Sequence, residues 1–400
     1  MACVEAGGRE GEERVTTQRA GEAGTLIDLF AGCGGGSLGF ARAGLRAAAA
    51  VELDADAAAA YEANLGVRPL TKDICKVSGD ELLSAAGLTR GECTLLFGCP
   101  PCQSFTDLRR GARSSRRDRA RNSLLREYLR LAEDVLARHI AFENVPGMLS
   151  PRWRPRFEEL LEGLSELGYD SVWAVLDAAD FGVPQRRRRV LVVASRAAVP
   201  VLPAVTHGDA SASEHPSWVT VREAIGSLTP LASGEADATD GYHRARRHSA
   251  LALRRLRAIR EGGARADLPE DLQLACHRDH SGHYDIYGRM WWDRPAPTLT
   301  SGCTNVTRGR FAHPEQDRAI TLREAMELQT FPRSAVLRGS LDEMALQVGN
   351  AVPPLFAERV GQTVVAMETT SRRGKRQRPA ATTVEPARSR AARTLVSSAT

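Results

Sequence analysis

Thr25-Leu26-Ile27-Asp28-Leu29-Phe30-Ala31-Gly32-Cys33-Gly34-Gly35-Gly36-Ser37-Leu38-Gly39 runs from an apolar segment into a glycine-rich turn and on into the start of a helix. Residues 25–30 read as a buried strand. Glycines directly after a strand let the backbone approach a ligand closely, because no Cβ stands in the way. Working outward, further apolar runs fall at 48–53, 68–73, 93–97, 140–144, 172–178 and 189–194, with helical stretches between them such as 55–64, 123–138 and 157–167. This alternation predicts an α/β fold, a mostly parallel sheet covered on both faces. The pattern fails after Ser195. Pro200, Pro203, Gly208, Pro216, Pro230 and Gly234 then punctuate an irregular region that lasts to about residue 344. The expected organisation is a flexible leader 1–23, a large domain 24–199, a smaller domain 200–344, a segment 345–368 that returns to the large domain, and a basic disordered tail 369–400.

Composition narrows the function. A chain of 400 residues with 42% hydrophobic residues can bury a sizeable core. It has no run of 18 apolar residues, and its first residues lack the apolar stretch of a secretory signal. Its eight cysteines are mostly isolated, which fits reduced thiols in the cytoplasm rather than a disulfide framework. Cys99 and Cys102 have redox-pair spacing, but no second such pair exists to complete a zinc site, and the histidines show no ligand spacing, so no metal is expected. The net charge of +5 is concentrated. Residues 369–400 carry eight Arg or Lys against Glu385, residues 108–126 carry eight Arg against Asp118, and residues 241–260 carry seven Arg and no acid. Basic segments on a near-neutral body suggest a polyanion gripped at defined places.

Two ends of chemistry emerge. At the first, Glu52 ends the second expected strand, where a carboxylate can take both ribose hydroxyls, and Asp73 ends the third, where one can accept from an adenine amino group. A dinucleotide site and a methyl-donor site both fit these residues, although Phe30-x-Gly32-x-Gly34 suits a ligand without phosphates. At the second, Gly98-Cys99-Pro100-Pro101-Cys102-Gln103-Ser104-Phe105 presents a thiol behind a rigid turn at a strand end, where open α/β sheets put their active sites. Only a thiolate attacks well, so that site must favour the anion. Glu143, followed by Asn144-Val145-Pro146-Gly147, ends a strand on the same sheet edge and is an acid/base candidate. In Gln185-Arg186-Arg187-Arg188-Arg189, alternate residues entering a strand share a face, so Arg187 and Arg189 point one way and Arg186 and Arg188 the other.

Taken in order, these motifs resemble those of the DNA (cytosine-5)-methyltransferases, of the bacterial modification-methylase type. The match runs from about residue 25 to 365. It comprises the glycine loop, Glu52, Asp73, Pro100-Pro101-Cys102-Gln103, Glu143-Asn144-Val145, Gln185-x-Arg187-x-Arg189, Arg294-Pro295-x-Pro297-Thr298, Arg323-Glu324 with Gln329-x-Phe331-Pro332, and Gly349-Asn350. The resemblance implies a Rossmann-like S-adenosylmethionine-dependent methyltransferase fold with a smaller, irregular target-recognition domain. It implies that Phe30, Gly32, Gly34, Glu52, Asp73 and Asn350 hold S-adenosylmethionine. Cys102 would add to carbon 6 of a flipped cytosine in duplex DNA, Glu143 would hold ring nitrogen 3, and Arg187 and Arg189 would orient the base and support the pocket. Gln103, Ser104, Arg109, Arg110, Arg294 and Thr298 would contact DNA, and the arginine-rich segment after Phe105 falls where the family has a mobile loop that closes over it. Residues 200–290 fall where the family varies its recognition region, with 241–260 and 281–292 the candidates for DNA contact; Trp291 and Trp292 are expected in the core. A tRNA-methylating branch of the family lacks so long a region between Gln185 and Arg294, which favours duplex DNA as the substrate. The implied setting is a DNA-associated bacterial cytoplasmic enzyme, monomeric on DNA, working alone or beside a separate restriction endonuclease.

Overall fold

In a computed structural model of the protein, the structure describes residues 24–101, 124–211, 213–273 and 284–377. The expected leader, the segment from Cys102 to Ser123 and most of the basic tail lie outside the described residues. So do Gln103, Ser104, Arg109 and Arg110.

Six strands form one sheet: β1 (Gly24–Leu29), β2 (Leu45–Val51), β3 (Leu95–Gly98), β4 (His139–Asn144), β5 (Asp170–Asp177) and β6 (Arg188–Ser195), in the order β2-β1-β3-β4-β6-β5. The pairs β1–β2, β1–β3 and β3–β4 are parallel, and β6 runs antiparallel to both β4 and β5. The strands are apolar on both faces, as strands covered by helices must be. Ile27, Leu96, Ile140, Phe142, Val190 and Val192 pack on one side, under α3 (Gly79–Ala86), α4 (Leu124–Val135) and α5 (Arg154–Glu166). Leu26, Leu95, Phe97, Ala141, Leu191 and Val193 face the other way. That second face is covered by α1 (Gly35–Arg42) and by the last helix, α10 (Pro354–Gln377). Helix α2 (Ala55–Leu65) begins at Asp54, whose carboxylate accepts from Ala57 N at 2.8 Å.

Residues 68–73 do not form the expected strand. Only Leu70 bridges to Val51, and Asp73 instead caps the short helical turn Ile74–Lys76 by accepting from Cys75 N at 3.0 Å. Pro69 cannot donate to a ladder, and one apolar side chain, Leu70, is too little to hold a buried strand. Helix α10 is anchored near its middle, where Glu368, 2% exposed, is held by Arg138 Nε at 2.8 Å and by His139 Nε2 at 3.1 Å.

Residues 200–344 contain no named strand among those described. Short helices α6 (Val221–Ile225), α7 (Ala250–Ala258) and α8 (Leu322–Leu328) are joined by isolated bridges, and α9 (Leu341–Asn350) leads back to the sheet. Two apolar clusters hold this part together, one around Met290, Leu299, Phe311 and Leu328, the other around Leu256, Tyr287 and Val306. A buried pair supports the first: Arg318 donates to both oxygens of Glu324 at 2.7 Å. Trp291 and Trp292 are only half-buried. Trp292 packs against the first cluster and under Arg222, while Trp291 lies between the guanidinium groups of Arg294 and Arg310, 5.0 and 4.4 Å from its ring centre. An indole nitrogen and a row of arginines favour that half-wet position over the core.

Candidate active site

Parallel pairing delivers the carboxyl ends of β1, β2, β3 and β4 to one edge of the sheet, and the antiparallel β6 brings its amino end to the same edge. Phe30, Glu52, Glu143 and Arg189 therefore stand along it, while Cys102 lies outside the described residues.

At the β1 end, Phe30 is held at φ 67°, a left-handed conformation unusual for a bulky residue, and Gly32 and Gly34 follow at 55° and 91°. A Cβ on Gly32 would point into open space. Glu52, at the β2 end, closes this loop: Oε2 accepts from Gly32 N at 2.7 Å and Oε1 from Asp54 N at 2.8 Å. Burial raises its pKa. Leu53 beside it is 67% exposed, an apolar face at the rim of the same loop. Beneath the loop, Asp28 is buried, and burial pushes its carboxyl up to about 7. Asp28 Oδ2 accepts from Ser37 Oγ at 2.5 Å, while Oδ1 has no protein partner. Neither Asp28 nor Leu53 stands out in the sequence; a lone acid inside an apolar strand was the signal for the first.

The far end of the chain closes on this loop. Gly35 lies so near Val352 O and Ala351 that a Cβ would come within 2.9 Å of both. Asn350, the last residue of α9, is exposed directly before that contact. Asp73 is exposed and lies three residues past the Leu70 bridge to β2.

At the β3 and β4 ends, Glu143 is 2% exposed. Its Oε1 is 2.8 Å from Arg189 Nε, and its Oε2 accepts from Cys99 Sγ at 2.7 Å. Asn144 Nδ2 donates to Pro100 O at 3.2 Å and so fixes the turn that leads into Cys102. Gly98 has to be glycine, because a Cβ there would sit 2.4 Å from the Tyr128 ring.

Arg187 and Arg189 share a face, and their partners differ. The Arg187 guanidinium donates to Leu299 O at 3.1 Å, Gly349 O at 3.2 Å and Ala351 O at 3.0 Å. Gln185 donates to Gln329 Oε1 at 2.9 Å and accepts from Leu299 N at 2.9 Å, while Gln329 donates to Val348 O at 2.6 Å. This buried junction ties the start of β6 to residues 294–299 and 347–351. Thr298 Oγ1 donates to Arg186 O at 2.7 Å, and Arg294 is exposed on Trp291. Sequence reasoning noted Gln329 within a motif but gave it no task; its place in this junction is set by contacts distant in the chain.

The match to known families decides among the chemistries that this edge admits. Residues 24–366 match the C-5 cytosine-specific DNA methylase family. The chain belongs to that family. The type II methylase M.HgiDII of Herpetosiphon aurantiacus is 36% identical over 347 residues, covering 85% of this chain and 95% of its own. The type II methyltransferase M1.HphI of Haemophilus parahaemolyticus is 34% identical over 348 residues, covering 86% and 87%. At the level of the fold, a crystal structure titled as a DNA modification methyltransferase encoded within an E. coli prophage superimposes with a TM-score of 0.64 at 21% identity, over 86% of this chain and 99% of its own. The protein is thus a DNA cytosine-5-methyltransferase, and DNA is its substrate.

For a methyltransferase of this family the state of each thiol matters. Cys33, Cys93 and Cys303 are buried, and burial pushes their thiols up to about 12, which keeps them protonated and inert. The arginines at 241–260 are largely committed within the protein. Arg254 pairs with Asp271, Arg257 with Asp317 and Arg246 with Asp342, and Arg255 donates to Leu272 O. No described helix is long and apolar enough to cross a membrane.

Proposed function

We propose that this enzyme transfers a methyl group from S-adenosylmethionine to carbon 5 of a cytosine turned out of duplex DNA at a specific sequence, with Cys102 as the nucleophile. The observation that carries this reading is the Glu143 carboxylate, buried at the sheet edge beside the turn into Cys102 and held by Arg189. Glu143 is the group to meet ring nitrogen 3 as the Cys102 thiolate adds to carbon 6. Glu143 brings a proton to that nitrogen, which relieves the negative charge that the thiolate puts into the ring and leaves carbon 5 nucleophilic. Loss of the carbon 5 proton to solvent then returns the electron pair that expels Cys102. Arg189 keeps Glu143 oriented, and Arg187 braces the pocket from behind through its three carbonyls.

The residues at the β1 and β2 ends fit the cofactor. Glu52 offers a fixed carboxylate to a ribose, Leu53 and Phe30 offer apolar faces to a purine, and the space over Gly32 admits a chain close to the backbone. Asp28 Oδ1, buried and unpaired by protein, suits an ammonium group. Asp73 and Asn350 complete this side. When bound, S-adenosylmethionine supplies an electrophilic methyl group.

Residues 24–199 and 345–368 then act as the catalytic domain, and residues 200–344 as the target-recognition domain, with Arg294 and Thr298 at their junction facing DNA. Gln103, Ser104, Arg109 and Arg110 would contact DNA from the segment after Cys102. The names of the relatives support a type II modification role; in this reading the enzyme works in the cytoplasm, monomeric on DNA, alone or beside a separate endonuclease. DNA carrying 5-fluorocytosine at the target has no carbon 5 proton to lose, so it should leave a complex that survives denaturation. That complex should vanish in Cys102→Ser while DNA binding remains. Turnover without any adduct would overturn the mechanism.

A further inference from the structure

Glu143 is gripped from both sides, and only one of its partners belongs to the reading above. Gly98 pairs with Phe142, so Cys99 falls one step beyond the ladder, across from Glu143. On the other side Glu143 pairs with Leu191, which puts Arg189 on the neighbouring diagonal of the same face. Alternation confirms the shared face: Phe97, Ala141 and Leu191 all pack in the cluster under α1 and α10, and Cys99 packs against that cluster. The Cys99 backbone is fixed at its other end as well, because Asn144 holds the carbonyl of Pro100. The thiol meets Glu143 Oε2 at 2.7 Å while Arg189 faces Oε1.

We propose that Cys99 is a positioning residue for the methyl-transfer reaction: its S–H donates to Glu143 Oε2, and together with Arg189 it locks the carboxylate in one rotamer before the base arrives. Arg189 alone fixes one oxygen and leaves the carboxylate free to turn about its last torsion, which is broad for a terminal carboxyl group. A second donor removes that freedom at the atom that must meet the base. A thiol is a weak donor, and its hydrogen bond leaves Oε2 able to carry the proton that it shares with ring nitrogen 3. This inference rests on Glu143 as the contact to the base.

The test is a double-mutant cycle read by single-turnover methylation of duplex DNA. Cys99→Ala should lower the methyl-transfer rate about fivefold, the worth of one modest hydrogen bond, with the KM for DNA unchanged. Cys99→Ser should restore the rate to within about twofold, since a hydroxyl donates to the same oxygen. In a Glu143→Gln background, Cys99→Ala should cost nothing further. Thermal unfolding and DNA binding of each variant report the fold independently of rate. A wild-type rate in Cys99→Ala, no rescue by serine, or an equal added loss in the Glu143→Gln background would each overturn the positioning role. Full activity of Glu143→Gln itself would instead remove Glu143 as the base contact.

Discussion

Glu52 shows how one side chain gains a task from its place at a strand end. Its two oxygens already accept backbone N–H groups from Gly32 and Asp54, so the carboxylate is fixed before any ligand binds. Glu52→Ala removes both the proposed ribose contact and the staple on the glycine loop. Hydrogen bonds to a charged group are worth about 1.5–3 kcal/mol, so S-adenosylmethionine should bind roughly 10- to 100-fold more weakly by calorimetry. An unchanged affinity would remove Glu52 from the cofactor site. His313 makes a different residue-scale case. Its Nδ1 accepts from Glu315 N and Gln316 N at 3.2 and 3.0 Å, so a proton there would face two donors. Burial, with Arg318 and Arg289 nearby, pushes its pKa down from 6.5 to about 4 despite Glu324. Between those values the unfolded chain binds a proton that the folded chain refuses. Stability should therefore fall as pH drops from about 6.5 to about 4, by about 3 kcal/mol from this residue. Ring NMR signals of His313 that titrated near pH 6.5 would contradict this.

The elements were legible in proportion to how local their signals are. The strands at the sheet centre, the glycine turn and the helix near 55–65 follow from runs and caps that a few neighbouring residues define. Residues 68–73 looked like a strand by the same test, yet only Leu70 joins the sheet, because pairing is settled by neighbours that the segment itself does not contain. Glu143 could be placed from the sequence at the edge that carries Cys102, but Arg189 could not, because a strand parallel to the others would begin at the opposite edge. Their contact depends on β6 running antiparallel to β4, a fact of topology. Arg187 was less legible still, since all three of its carbonyl partners lie more than a hundred residues away. That junction is an element-scale device with an element-scale cost. Arg187→Met would keep the bulk of the side chain and leave the buried carbonyls of Leu299 and Gly349 without this donor, and Ala351 O with only Gln329 Nε2 at 3.5 Å, costing about 3 kcal/mol. The loss should appear as a lower denaturant midpoint, and limited proteolysis should separate residues 200–344 from the sheet domain. An unaltered midpoint would mean that the carbonyls find other donors. At the β3 end, Gly98→Ala should cost about 1–3 kcal/mol by overpacking against Tyr128 and should displace the turn into Cys102.

At the scale of the whole molecule, the chain leaves the sheet after β6 and re-enters it through α9 and α10, so the proposed division puts chemistry and recognition on separate scaffolds. The contacts that bind the two together fall at the start and the end of the excursion: Thr206 N and His207 N donate to Asp180 O at 2.9 Å, and Trp218 Nε1 donates to Asp180 Oδ1 at 2.9 Å. Gln185 bridges Ala296, Arg187 reaches Leu299, Gly349 and Ala351, and Gln329 holds Val348. These later contacts lie outside residues 200–290. The arginines there that pair with Asp271 and Asp317 shape the smaller part, and they leave the sheet edge untouched. Specificity for a DNA sequence comes from side chains presented to base edges, and changing those side chains need not disturb a pocket built elsewhere. Replacing residues 200–290 with the same region of a relative of known target should therefore move methylation to that target while Cys102 still forms its adduct with 5-fluorocytosine. Bisulfite sequencing of DNA from cells that express the chimaera reads the outcome directly. Methylation that stayed at the original sequence would assign recognition to the sheet domain, and a chimaera that folded, trapped no adduct and methylated nothing would show that the excursion also builds the pocket.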